Sequence, residues 1–322
     1  MSAPPRRPLG RSGLKVAPFA LGGNVFGWTV RPERSFLLLD AFTSAGFNLI
    51  DTADTYSIWV PGNHGGESET ILGRWMRDRG TREDVVIATK VGMDMGAGGT
   101  GLSPDHIATS IAGSLRRLQT DYIDLYQAHE DDRSTPLEVT LEAFDNLVGQ
   151  DRVHAIGASN YTAERLQEAL HVSSARGYRR YESLQPRYNL MDREGFEGPL
   201  ETLCRAEGLG VLTYSSLASG FLSGKYRSKA DLAKSPRGAR AGSRLTERGF
   251  RILAALDEVA ARFGVAPATV AVAWLMSRPA VTAPIASATS VEQLQELLRA
   301  ASLHLDAAAL SALERASAPD VT

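Results

Sequence analysis

VVIATK (85–90), PDHIATSIAGSLRRL (104–118) and DYIDLYQAH (121–129) follow one another along the chain. The first and third are short runs, apolar without strict alternation until they end in Lys90 and His129. The second spaces its apolar residues as a helix does. Ser103 precedes Pro104 as an N-cap, with proline at the first helical position. Strand, helix and strand in that order make a βαβ unit, and continuous apolarity marks strands covered on both faces of a parallel sheet. The unit recurs outward in both directions. Apolar runs lie at 18–21, 47–51, 153–159, 183–185, 211–214 and 281–286, and helical patterns at 32–46, 67–78 and 137–148. Residues 8–16 read as a small Gly-punctuated hairpin ahead of the first run. Eight strand–helix units without a linker predict one α/β domain over residues 1–322. It is a (β/α)8 TIM barrel with an N-terminal β-hairpin and a C-terminal helical tail. A doubly wound sheet would need a crossover point, which the even alternation does not supply.

Composition narrows the class. Hydrophobic residues make up 43% of the 322 and charged residues 22%, which excludes a disordered or fibrous chain. Lys+Arg 35 against Asp+Glu 37 leaves a net charge of −2, so no nucleic-acid partner and no membrane partner is expected. The lone Cys204 cannot form an intramolecular disulfide and suits a reducing, cytoplasmic setting. MSAPPRRPLG carries two arginines with no apolar region behind them, and no segment approaches the ~18 apolar residues of a membrane span. The six histidines lack metal-ligand spacing and no G-x-S-x-G elbow occurs, so neither a metal site nor serine hydrolysis is expected. Oligomeric state leaves no mark on the sequence.

Chemistry enters at the ends of the apolar runs. Asp51, Lys90, His129, Asn160, Gln185 and Tyr214 end or directly follow them, and a parallel barrel gathers such residues at its C-terminal rim. Nearby water accounts for one or two polar strand ends. It does not account for Asp, Lys and His closing apolar strands. Tyr56 follows Asp51 closely. A phenol, with its ordinary pKa near 10, is a poor proton donor at neutral pH. A neighbouring ammonium would lower that value, and a carboxylate would keep the ammonium charged and oriented. A neutral imidazole could hydrogen-bond a carbonyl oxygen beside the phenol. Together these groups form a general acid aimed at an oxygen that develops negative charge, as hydride reduction of a carbonyl requires. Singly, each keeps a structural reading: Asp51 with Lys90 as a buried ion pair, Tyr56 as a packed loop tyrosine, His129 as a satisfied strand end.

Taken together the motifs resemble a known family. FNLIDTADTYS (47–57), GGESETILG (65–73), VVIATKVG (85–92) and DYIDLYQAH (121–129) resemble the four catalytic blocks of the aldo-keto reductases, in order and in spacing. IGASNY (156–161), LQPRYNL (184–190) and LTYSSLASGFLSGKY (212–226) resemble its cofactor blocks. ATSVEQLQELL (288–298) resembles the segment that closes over the adenosine end. The resemblance implies an oxidoreductase that binds NADPH across the rim, with NADH possible, and reduces a small-molecule aldehyde or ketone. By position it makes Tyr56 the proton donor, tuned by Lys90 with Asp51, and has His129 orient the carbonyl. Ser159, Asn160 and Gln185 would hold the nicotinamide carboxamide, and Tyr214 would stack on the ring. Ser215, Leu217 and Gly220 would begin the pyrophosphate loop, and Ser287, Ala288, Thr289, Gln293 and Glu296 would line the adenosine end. Some relatives of this fold serve as channel β-subunits, so the alternative is a cofactor-sensing binding protein with little turnover.

Departures from the family pattern fall on the nucleotide side. Thr289 stands where many members carry an arginine for the 2′-phosphate, and Leu297 where an asparagine often meets adenine. Ser287 replaces a usual glycine and Ser216 a usual proline, while Gln293 and Glu296 match. A threonine cannot supply the cation that distinguishes NADP from NAD. A compensating source is the rim insertion 223–248, where eight cations face only Asp231 and Glu247. Two readings stand: a solvated insertion, or a lid over the cofactor phosphates that includes Lys225 and Arg244. Gly96, Gly98 and Gly101 imitate a dinucleotide fingerprint but lie too far past Lys90, so a rim loop is expected. Phe26, Trp28, Trp59 and Met93 sit in or beside rim loops and either wall a substrate pocket or pack loops together. Trp75 and Trp274 lie within helical patterns and read as core.

Overall fold

The computed structural model describes residues 3–319. A two-stranded hairpin, β1 (Arg7–Pro8) and β2 (Lys15–Val16), precedes eight barrel strands. These are β3 (Ala20–Gly22), β4 (Leu49–Asp51), β5 (Val86–Val91), β6 (Ile123–Ala128), β7 (Val153–Ser159), β8 (Tyr181–Gln185), β9 (Gly210–Thr213) and β10 (Val281–Ala286). Each pairs in parallel with its successor, and β10 returns to β3, so the barrel closes with no sheet edge. Around it run α1 (Pro32–Ser44), α2 (Glu67–Arg79), α3 (Pro104–Leu118), α4 (Leu137–Gly149), α5 (Ala163–Arg176) and α6 (Pro199–Glu207). They are followed by the short α7 (Gly238–Ala241), then α8 (Glu247–Phe263), α9 (Pro267–Met276), α10 (Val291–Leu298) and the tail helix α11 (Ala307–Ser317). The eight expected strands are all present, with ends displaced by one or two residues in either direction: β8 begins at Tyr181, ahead of the expected run, and β6 ends at Ala128, one residue before His129. Tyr214, read as a strand end, makes only an isolated bridge to Arg187.

Side-chain parity positions the site. Successive residues of a strand point to opposite faces. Leu49, Val86, Ala88, Leu125 and Ala155 fill the barrel interior, while Ile50, Ile87, Tyr126 and Ile156 pack outward against the helices. Continuing the inward set along each strand leads to Asp51, Lys90, His129 and Ser159. The alternation that builds the core therefore also aims the polar strand ends at the barrel axis. At the opposite end, Leu9 and Val16 of the hairpin join the interior cluster. A Cβ on Gly210, at the start of β9, would come within 2.4 Å of Leu9 Cδ1. The hairpin thus plugs the N-terminal end of the barrel.

The helices start as their sequences require. Ser103 accepts a hydrogen bond from the His106 amide at 3.3 Å, a cap contributing about 1 kcal/mol. Trp75 and Trp274 are fully buried in the outer core. The rim insertion is folded: a turn at Lys229–Lys234 is closed by a Ser228–Asp231 capping box, and α7 follows. No single helix among the described residues is long and apolar enough to cross a membrane. The α8–α9 pair reaches that length and composition only across a 94° bend.

Candidate active site

Lys90 is wholly buried and spends all three ammonium protons on its neighbours. Nζ donates to Asp51 Oδ1 at 2.7 Å, to the Thr52 carbonyl at 2.8 Å and to Tyr56 Oη at 3.1 Å. The Tyr56 hydroxyl donates in turn to Asp51 Oδ2 at 3.2 Å. Adjacent strands β4 and β5 carry Asp51 and Lys90, and the loop after β4 folds Tyr56 back over them. Removing one partner of such a buried pair costs about 3–5 kcal/mol, because the other charge is left uncompensated. The ring of His129 lies 6.1 Å from that of Tyr56, centroid to centroid. The four expected catalytic side chains are brought together at the rim.

The electrostatics differ from the expectation in one respect. Lys90 was expected to lower the phenol pKa. In the structure, burial and then the Asp51 carboxylate push Tyr56 well above 10, with Arg237 pulling weakly the other way. The reason is geometric: Asp51 contacts both the ammonium and the hydroxyl, and so cancels the cation where the phenol would feel it. Tyr56 is therefore held as a protonated donor. Burial lowers the Lys90 ammonium, against the pull of Asp51. Burial and then Lys90 hold His129 well below 6.5, which keeps the imidazole neutral at physiological pH.

A second polar group joins the first directly. Gln185 Nε2 donates to Asp51 Oδ1 at 2.8 Å. Ser159 Oγ donates to the Gln185 carbonyl at 2.9 Å, and Asn160 Nδ2 to the His129 carbonyl at 2.9 Å. Tyr214 Oη donates to Asn160 Oδ1 at 2.8 Å. Asn160 and Ser215 adopt left-handed backbone angles, φ 58° and 61°, as do Ala218 and Ser219. Each such residue costs about 1–3 kcal/mol and persists only where the surrounding fold imposes it. The result is a tight arch from Ser215 through Leu217 to Gly220 beyond β9. His129 Nδ1 and Gln127 Nε2 are buried without hydrogen-bond partners. Unused polar atoms beside a tetrad, under a strained arch, fit a polar planar cofactor head group and a phosphate chain.

The remaining positions divide. Thr289 donates from both its amide and Oγ1 to Gln293 Oε1 at 3.0 Å. Glu296 accepts from the Ala266 amide and from Thr269 Oγ1. Ser287 Oγ donates to Asn24 Oδ1 at 2.7 Å, and Ala288 is buried. Arg244 forms a two-pronged pair with Asp192 at 2.9 and 3.1 Å, so its fork is already engaged within the rim. Lys225 is exposed above the Tyr226 ring. Trp28 and Trp59 meet edge to face at 5.7 Å, and Trp59 lies 6.2 Å from Tyr56. Phe26 differs from these two: its ring is fully buried in the outer core and supports the loop from behind. Met93 is half-buried on the neighbouring loop. Gly96 and Gly98 form an exposed turn, and a Cβ on Gly101 would come within 2.8 Å of Asp132 Oδ2. The sequence reading missed Asn24 and Gln127, and counted Arg237 only among the eight cations of the rim insertion. Nothing near Asn24 in the chain marks it; Gln127 shares the inward parity of His129 and could have been found by it.

A closed parallel barrel with Asp, Tyr and Lys joined, and His beside them, at its C-terminal rim is the architecture of a barrel enzyme. The chain belongs to the aldo/keto reductase family, whose sequence profile matches residues 18–318. An uncharacterized oxidoreductase of Bacillus subtilis, YrpG, is 36% identical over 92% of this chain and 91% of its own. A probable voltage-gated potassium channel subunit beta of Oryza sativa is 35% identical, covering 91% and 89%. The aldo-keto reductase AMT2 of Alternaria alternata is 32% identical, covering 96% and 90%.

Proposed function

We propose that this protein reduces an aldehyde or ketone to an alcohol with NADPH, in a reducing, cytoplasmic setting suited to its one buried thiol. The observation that carries the reading is the Tyr56 hydroxyl held between Lys90 and Asp51 at 3.1 and 3.2 Å. NADPH, when bound, supplies the hydride. Ser159, Asn160 and Gln185 would hold the carboxamide of its head group, Tyr214 would support the ring, and the Ser215–Gly220 arch would take the phosphates. The neutral His129 ring positions the substrate oxygen beside Tyr56. The Tyr56 hydroxyl gives up its proton as negative charge grows on that oxygen. Lys90 donates to Tyr56 Oη throughout, stabilising the phenolate as it forms, while Asp51 and the Thr52 carbonyl keep the ammonium in place.

The channel-subunit name borne by one relative favours a second reading, a cofactor-binding sensor with little turnover. One assay separates them. NADPH oxidation is followed with a panel of aldehydes and ketones, alongside binding titrations of NADPH and NADH. Steady consumption of NADPH with release of alcohol supports the reductase. Tight cofactor binding with no turnover on any carbonyl supports the sensor.

A further inference from the structure

Gln127 lies inside the barrel, two residues ahead of His129 and turned to the same face. Strand register sets it beside Gly157 of β7, and Gly157 beside Ser183 of β8. A Cβ on Gly157 would come within 2.2 Å of Ser183 Oγ and 3.2 Å of Gln127 Cγ, so the glycine leaves the width in which these two side chains lie. Gln127 is fully buried, and its Oε1 accepts from Gln185 Nε2 at 3.4 Å. That contact assigns the amide. Turned the other way, Gln127 would set its Nε2 against the Nε2 of Gln185, donor against donor. The orientation leaves Gln127 Nε2 buried with no acceptor, and Ser183 Oγ is likewise buried without a partner. An unused buried donor weakens a core, so the amide does not serve packing; what it contributes is its oxygen.

That oxygen acts on a residue of the site. Gln185 carries two N–H groups on Nε2. One goes to Asp51 Oδ1 at 2.8 Å, the same oxygen that accepts from Lys90 at 2.7 Å. The other is the one that Gln127 takes up. Ser159 Oγ holds the backbone carbonyl of Gln185 at 2.9 Å. An amide held at Nε2 by Asp51 alone could swing about that single bond. With both N–H groups engaged it cannot turn, and Gln185 Oε1 remains as its acceptor, directed away from Asp51. We propose that Gln127 is a positioning residue: by taking the second N–H of Gln185 it fixes that amide against Asp51 and sets Gln185 Oε1 toward the carboxamide of the cofactor head group. This rests on the reductase reading, in which Gln185 meets that head group. Gln127 acts through Gln185.

The test is a double-mutant cycle on the full-length protein, read by fluorescence titration of NADPH and by steady-state kinetics with a carbonyl that the wild type reduces. Gln127→Met keeps the unbranched length and removes the oxygen; Gln185→Met removes the amide through which it acts. Gln127→Met should weaken NADPH binding by roughly 3- to 10-fold and lower kcat, with a Tm equal to or above the wild type because a buried unpaired donor is gone. In the Gln185→Met background the same change should alter Kd by less than about twofold. Gln127→Glu, kept protonated by burial, retains an accepting oxygen and should bind NADPH within about twofold of the wild type. An equal loss of affinity with and without Gln185 would show that Gln127 acts by filling the barrel, and would overturn the inference. Unaltered Kd and kcat in Gln127→Met would overturn it as well, leaving the reductase reading intact. A Gln127→Met chain that does not fold would make the residue structural and overturn it too. Failure of the wild type to bind NADPH removes the reductase reading and the inference with it.

Discussion

Asp54 shares the loop of Asp51 and Tyr56, but its charge is felt by Tyr126 and feels Glu69, Arg117 and Lys90, and its Oδ1 is buried with no donor. Burial, and after it Glu69, raise its carboxyl from 3.8 to about 8, against weaker pulls from Arg117, the Thr55 amide and Lys90. The sign follows from proton counts. Between those two values the folded chain keeps a proton that the unfolded chain has released, so this group makes stability fall as pH rises. Asp54→Asn keeps the shape without the charge. Its Tm should gain on the wild type steadily from pH 5 to pH 8; parallel Tm profiles over that range would contradict the assignment. At this scale the sequence was half legible. Which residues meet was readable from the strand ends, because parity and chain position decide it. The direction of the Tyr56 shift was not, because it depends on Asp51 touching two groups at once.

Elements hold the catalytic loop through backbone proximity. A Cβ on Gly73 of α2 would lie 2.2 Å from the Arg117 carbonyl oxygen and 2.7 Å from the Leu118 carbonyl carbon, so α2 and α3 cross with no room for a methyl group. From the same helix, Ser68 accepts a hydrogen bond from Thr52 Oγ1 and donates to the Gly23 carbonyl, bracing the loop that carries Tyr56. Gly73→Ala gains about 1 kcal/mol in helix propensity but forces the helices apart, a strain of about 1–3 kcal/mol or more against backbone. Calorimetry should show a lower Tm; an increase would mean the crossing is looser than described. Strands and helices of the barrel were legible because hydrophobic period and cap residues agree at each one. The 223–248 insertion was not. Its order comes from Asp192 and Asp257, acids outside the segment whose proximity only the fold creates. Counting charges within the segment therefore treated as free several cations that are already paired.

Across the whole molecule, a net charge of −2 conceals this basic rim. Lys225, Lys229, Arg237 and Arg240 of the rim insertion remain without a carboxylate partner among the described residues. NADPH affinity should weaken several-fold between 50 and 500 mM salt, as exposed charges are screened. A salt-independent Kd in fluorescence titration would show that this charge plays no part in cofactor capture. The central claim concerns the hydroxyl between Lys90 and Asp51, and Tyr56→Phe addresses it by deleting one oxygen atom. With a carbonyl substrate that the wild type reduces, the variant should bind NADPH as the wild type does while kcat falls by about 10²–10⁴. Near-normal turnover by Tyr56→Phe would contradict the assignment of Tyr56 as the proton donor.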